Sequence, residues 1–458
     1  MDNKQNEKKL EQKYGLFTAI SMVVGTVIGS GVFFKASKVL ANNNGNMLKS
    51  ILTVAAVGLV MLICAYVFSI LAARVDKVNG LVDYSEIACG PLYAYAVGWF
   101  ISTLFYPTIT ACLAWISANY IIFLFGIKLG WWFHYLLAAL LLVLSFLFNV
   151  FSPRLSGKFQ VSTTAVKLVP LSVMAIAGTV AGLINGTTVS NLTSAHSSIT
   201  GGGGLFAAII AFAFAYEGWI FATTINAEIK DSHKNLPRAL IIGAVIIISV
   251  YVLYFLGLMG VLSAEEIVGA GDELPRAAFS SLFGSDVFGT AIYVFVVISC
   301  LGTMNGLMLV STRALYSVSA RGQGIAPRLF SKVNEKTNMP TASALFALIV
   351  CLIWLTQWQL GFINGFFPEF LSFENDELPI AAYYIFCIPI FVYIMRKCTD
   401  LGIVKRFVMP SLATIASLFM IFCAVYSYRL DAIYYFTVFA VIMGIGFLFY
   451  KRENKPKS

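Results

Sequence analysis

Charge is scarce in this chain. Asp, Glu, Lys and Arg make up 12% of its 458 residues, about half the share of an ordinary soluble domain. A soluble fold of this size would need a polar surface that the sequence does not supply. Disorder is excluded for the same reason, because 59% of the residues are hydrophobic. Histidine is scarcer still: His134, His196 and His233 fall at a span edge and in two loops, so no catalytic cluster forms around them. The eight cysteines include no CxxC pair, and six of them (Cys64, Cys112, Cys300, Cys351, Cys387 and Cys423) lie inside apolar runs. Neither a disulfide framework nor a metal site is indicated. A GxxxxGK[ST] loop is missing; the nearest match, at 152–159, lacks the first glycine and the final hydroxyl. An ATP-driven pump is therefore not expected, nor is any metal or cofactor. A channel is disfavoured by the lack of a repeated filter motif. The net charge of +9 does not point to nucleic acid, since the basic residues do not cluster with aromatics on any soluble module.

What remains is a polytopic all-α membrane protein whose partner is the lipid bilayer. About 20 apolar residues cross a ~30 Å hydrocarbon core as a helix. Twelve such runs lie between turn signals, near 14–34, 50–73, 92–125, 132–151, 159–184, 204–227, 239–262, 287–312, 341–356, 378–395, 407–428 and 432–450. Strict alternation from a cytoplasmic N-terminus places 24 of the 31 Lys and Arg on inner segments, six on outer ones, and Lys167 inside a span. That asymmetry matches the positive-inside rule. The expected layout is tails at 1–13 and 451–458 inside the cell, with no signal-peptide pattern at the start. Between them lie five spans over 14–184, five over 204–396 and two more over 407–450. No connection is long enough to fold a catalytic domain.

Two spans carry interruptions. Span 1 contains Gly25-Thr-Val-Ile-Gly29-Ser30-Gly31, three glycines in seven residues; each weakens a helix by about 1 kcal/mol relative to Ala. A Gly25–Gly29 helix-packing contact is the other reading, although consecutive small residues are not what a packing face needs. Span 6 is broken by Glu217-Gly218, thirteen residues past Gly204, about 20 Å along a helix. A carboxylate at that depth is either a functional group or a protonated one hydrogen-bonded to a neighbouring helix. Interrupted spans at the head of each five-helix half point to an inverted-repeat secondary transporter. Half-helix N-termini suit a carboxylate and freed carbonyls suit an ammonium, which together describe an amino acid.

Those residues carry a resemblance. GTVIGSGVF in span 1, Phe212-Ala-Phe-Ala-Tyr-Glu-Gly-Trp219 in span 6 and the loop Glu228 to Ala239 are similar to motifs of the amino acid–polyamine–organocation superfamily. So are Gly302, Asn305-Gly306, Arg313, Tyr316 and Ala320-Arg321-Gly322. The branch resembled is that of the L-type transporters and bacterial serine/threonine exchangers, over about 14–450. The resemblance implies a LeuT-like five-plus-five inverted repeat plus two helices, working by alternating access. It implies that Gly29, Ser30 and Gly31 hold the substrate carboxylate at their backbone. Val27, Ile28, Phe214 and Glu217 would meet its amino group, and the Phe214 ring would gate the site.

Lys167 is the one charge in span 5. Nine residues past Lys158, it lies ~13 Å deep, either snorkelling back to the interface or bonded to carbonyls freed at the first break. Val161 to Pro170 resembles the fifth helix of sodium-independent members, where such a lysine replaces the sodium ion. The expectation is a sodium-independent carrier in the plasma membrane, an exchanger of neutral amino acids first. A proton-linked or exchange carrier of cationic amino acids or amines is second. Two departures stand out. The acidic run from Pro368 to Pro379 suggests side chains in an outer vestibule, or else an attraction for cationic substrates. Residues 126–131 lack the cysteine with which animal relatives bond a heavy subunit, so none is expected here.

Overall fold

The computed structural model describes residues 15–29, 31–74, 80–193, 199–219 and 229–450. In chain order its main helices begin with α1 (Leu16–Val27), α2 (Gly31–Asn42), α3 (Met47–Ala72), α4 (Leu81–Cys89), α5 (Pro91–Phe125) and α6 (Trp131–Phe151). They continue with α7 (Leu155–Ile184), α8 (Thr187–Thr193), α9 (Gly204–Tyr216), α10 (Ser232–Val261), α11 (Ala264–Ala270) and α12 (Leu274–Phe283). The last are α13 (Asp286–Ser319), α14 (Thr341–Ile363), α15 (Leu378–Lys397), α16 (Val404–Tyr428) and α17 (Leu430–Leu448).

Among the described residues ten helices are long and apolar enough to cross a membrane. The pair α1 and α2, bent by 48°, is an eleventh candidate if the two cross as one broken span. Of the expected sixth span, α9 and Glu217 to Trp219 are described, and residues 220–228 lie outside the described residues. Helices dominate because hydrocarbon offers the backbone no hydrogen-bond partner, so each segment must close its own. Their ends are marked locally. Asn46 caps α3 by accepting from the Lys49 amide at 2.8 Å, and Ser263 with Glu266 forms a capping box at α11. The outer surface reads as lipid-facing: Leu136, Leu140, Leu144 and Leu147 recur at helical spacing along α6 and are all exposed.

Three expected boundaries move. The first span runs to Asn42, well past 34, because Lys35 and Lys38 find carboxylate partners and do not end the helix. The ninth continues to Ile363 through a π-type turn at Gln357–Ile363. The eighth continues to Ser319 and takes in Arg313. The long connections expected on the outer side are not plain loops, since α8, α11 and α12 lie within them.

α1 packs on α10 and α7, and α2 packs on α9. These contacts bring both interrupted segments to one place at the centre of the bundle. A buried polar knot secures the neighbouring helices. Asn305 on α13 donates to Ser156 on α7 at 2.8 Å and accepts from Asn149 on α6 at 2.9 Å.

A candidate substrate site between two helix breaks

α1 ends at Val27, and Ile28 leaves the helix with an extended ψ of 104°. Gly31 opens α2; Ser30, between them, lies outside the described residues. The last carbonyls of α1 therefore lack helical partners, as do the first amides of α2. The glycines serve packing as well as the break. A β-carbon on Gly25 would meet Thr164, one on Gly29 would meet Thr303, and one on Gly31 would sit 2.7 Å from the Ala215 Cα. The packing and break readings thus hold together.

The second break follows Tyr216. Glu217 is extended (φ −70°, ψ 154°), and Gly218 has φ +111°. That angle lies where side chains are rarely tolerated, and a β-carbon there would fall 2.7 Å from the Thr26 carbonyl oxygen. Glycine is needed on both counts. Tyr251 of α10 ties the breaks together: its hydroxyl lies 2.9 Å from the Ala215 carbonyl oxygen and 3.3 Å from that of Val27. Nothing in the sequence around Tyr251 marked it, because its role depends on two carbonyls brought together from distant segments.

A small cavity separates the breaks. Thr26, Val27, Gly29, Gly31, Phe214 and Glu217 line it from the interrupted helices, with Ile109 and Leu113 from α5 and Thr303 and Leu307 from α13. Ile28 is fully buried beside it. The space is ≈ 30 Å³, far below the ~300–1,000 Å³ of ligand pockets. The conformation is closed, and an amino acid enters only when the lining parts. Around the cavity the C-terminal ends of α1 and α9 supply carbonyls and the N-terminal end of α2 supplies amides. This pair of partial charges is complementary to a zwitterion.

Lys167 is fully buried. Its ammonium does not return along α7; it donates to the Gly25 carbonyl at 2.6 Å and to the Thr303 hydroxyl at 3.3 Å. Glu217 is 9% exposed, and its Oε2 has no hydrogen-bond partner among the described residues. Phe214 faces the cavity with Glu217. On its other side the Lys35 ammonium sits 5.5 Å from the ring centroid.

That lysine belongs to a group that overturns the vestibule expectation for the acidic run. Glu374, Asp376 and Glu377 are buried, with Asp376 and Glu377 fully so. Lys35 bonds Asp376 and Glu377, both at 2.5 Å, and Lys38 bonds Glu374 at 2.5 Å. The segment turns inward because α2 presents two ammoniums that need anions. Other motif residues make packing and ionic contacts. Gly302 and Gly306 admit Thr163 and Gln160 of α7 at close range. Arg321 pairs with Asp83 of α4.

Comparison with known proteins identifies the family. The amino acid permease family model matches residues 14–450. The serine/threonine exchanger SteT of Bacillus subtilis is 29% identical over 394 residues, covering 85% of this chain and 84% of that protein. The human b(0,+)-type amino acid transporter 1 is 27% identical over 445 residues, covering 96% and 88%. The human cystine/glutamate transporter is 25% identical over 461 residues, covering 99% and 88%. The chain belongs to the amino acid permease family: it is a multi-span membrane transporter of amino acids and not an enzyme.

Proposed function

We propose that this chain is a sodium-independent exchanger of neutral amino acids working by alternating access. The observation that carries the reading is the Lys167 ammonium, 2.6 Å from the Gly25 carbonyl at the first break. A tethered cation there fills the position that a free sodium ion would otherwise occupy. Backbone amides at Gly29, Ser30 and Gly31 take the substrate carboxylate. Carbonyls of Val27, Ile28, Phe214 and Glu217 take its ammonium, and the Phe214 ring closes over it. The arrangement is a five-plus-five inverted repeat, 14–184 and 204–396, with helices 11 and 12 over 407–450. Both termini face the cytoplasm of a cell whose plasma membrane holds the protein. Residues 126–130 contain no cysteine, and the chain works without a disulfide-linked second subunit there.

A second reading, transport of cationic amino acids, is favoured by the unpartnered Glu217 oxygen facing the cavity. An ionised carboxylate in that enclosure is met best by a second positive charge on the substrate.

Uptake of a panel of labelled amino acids into proteoliposomes tests both readings. Neutral substrates should enter only against internal amino acid, with or without sodium. A sodium requirement overturns the Lys167 assignment, and uptake into empty vesicles overturns exchange. If lysine or arginine is carried, Glu217→Gln should lower that uptake at least tenfold and spare neutral substrates. Equal effects on both classes would remove Glu217 from selectivity.

A further inference from the structure

The charges grouped behind Phe214, all buried except the partly exposed Lys38, do not balance. Lys35 and Lys38 carry two positive charges, and Glu374, Asp376 and Glu377 carry three negative ones. Each ammonium is engaged: Lys35 with Asp376 Oδ2 and Glu377 Oε1, Lys38 with Glu374 Oε1 and, at 3.0 Å, Glu377 Oε1. The Tyr428 hydroxyl donates to the other Glu377 oxygen. Asp376 Oδ1 is left, fully buried and with no hydrogen-bond partner among the described residues. An uncompensated charge on a buried oxygen is strongly disfavoured, whereas a neutral hydroxyl in the same place is tolerated far better. One proton on that oxygen brings the group to zero net charge.

Among the described residues, the groups facing this cluster supply no further positive charge. From α5 the group faces the Cys112 thiol. Asp272, which accepts from Asn119, faces Lys35 from the turn before α12. Asp431 at the start of α17 faces Glu374, with Glu369 beyond it. All of these are acidic or neutral.

We propose that Asp376 is a proton-binding site linked to the docking of α2, so that closing the path above the cavity takes up one proton and opening it releases one. The link is direct. Lys35 lies one helical turn past Gly31, and the ammonium that bonds Asp376 also packs on Phe214, which lines the cavity. Undocking α2 withdraws Lys35 and admits water, and the Asp376 carboxyl loses its proton to that water. Redocking takes a proton back onto the same oxygen. Burial, with Glu374 and Glu377 beside it, pushes Asp376 up to about 7 when docked, against the pull of Lys35 and Lys38. Hydrated, it returns to about 3.9. The docked value lies above the undocked one, so acid favours docking and the advantage is lost as pH rises through about 7.

The inference rests on membership of the permease family and not on the substrate or sodium reading. Purified full-length protein and Asp376→Asn are compared by thermal unfolding between pH 5 and 8. The wild-type midpoint should fall by several degrees relative to the variant as pH passes 7; parallel curves overturn the proposal. In proteoliposomes loaded with a transported amino acid, wild-type exchange should slow severalfold from pH 8 to 5.5. Asp376→Asn should be slow and flat across that range, and a retained pH slope overturns the proposal. Glu217→Gln should keep the slope; its loss there would assign the titration to Glu217. If exchange fails for every amino acid while the thermal difference persists, the transport reading falls and the proton site stands.

Discussion

Tyr251 has one hydroxyl proton and two carbonyls within reach, those of Ala215 and Val27. It is the side chain that holds the two breaks at a fixed distance. Tyr251→Phe removes that hydroxyl and nothing else. A net hydrogen bond is worth about 0.5–1.5 kcal/mol, so exchange should fall roughly 2- to 12-fold with the protein still folded. Unchanged exchange kinetics would show that the breaks are held by packing alone. Gly218 makes the complementary point by having no side chain. Its backbone passes so close to Thr26 that no other residue fits, which brings the second break against the carbonyl end of α1.

At the scale of helices, buried polar knots and close glycine contacts both fix how the segments pack. α6, α7 and α13 meet at Asn149, Ser156 and Asn305. There Ser156 donates to the Asn149 side-chain oxygen at 2.7 Å and Asn305 completes the ring. Asn305→Leu removes its side-chain bonds to both partners, at about 0.5–1.5 kcal/mol for each bond, while Ser156 still donates to Asn149 and Asn149 to the Ser145 carbonyl. The thermal midpoint in detergent should drop by several degrees; an unchanged midpoint would mean that water or rearrangement replaces the ring. α1 and α2 add close glycine contacts to their own polar ones, the Lys35 and Lys38 ion pairs and the Lys167–Gly25 bond. Gly31→Leu drives a side chain into the Ala215 backbone, so it should abolish substrate binding while leaving the bundle assembled. Retained binding, measured by thermal shift with substrate, would move the carboxylate site elsewhere.

For the whole molecule, the distribution of charge sets orientation. On the twelve-span reading of the sequence, 24 of the 31 basic residues fall on segments of one parity along the chain. Lys128, between α5 and α6, falls on the sparse side, and Arg396, at the end of α15, on the dense side. In intact cells a membrane-impermeant maleimide should label Lys128→Cys strongly. Arg396→Cys should react only after permeabilisation, with the wild-type chain setting the background. The reverse pattern would invert the topology. At the same scale the cavity of ≈ 30 Å³ means that a substrate is admitted only when the helices around it part.

The sequence by itself determined where most helices lie, because a helix closes its hydrogen bonds within four residues and the bilayer fixes its length. It also marked both breaks and singled out Lys167 and Glu217, since glycines and lone charges in apolar runs are visible without a fold. It placed Lys35 in a loop and the acidic run in a vestibule. Each looked like an exposed charge until its partner arrived from the far side of the chain. Only the tertiary structure joined Lys167 to Gly25, 142 residues away, and Lys35 to Asp376, 341 residues away. Such pairs depend on which helices pack together, and no local rule of spacing or propensity contains that information.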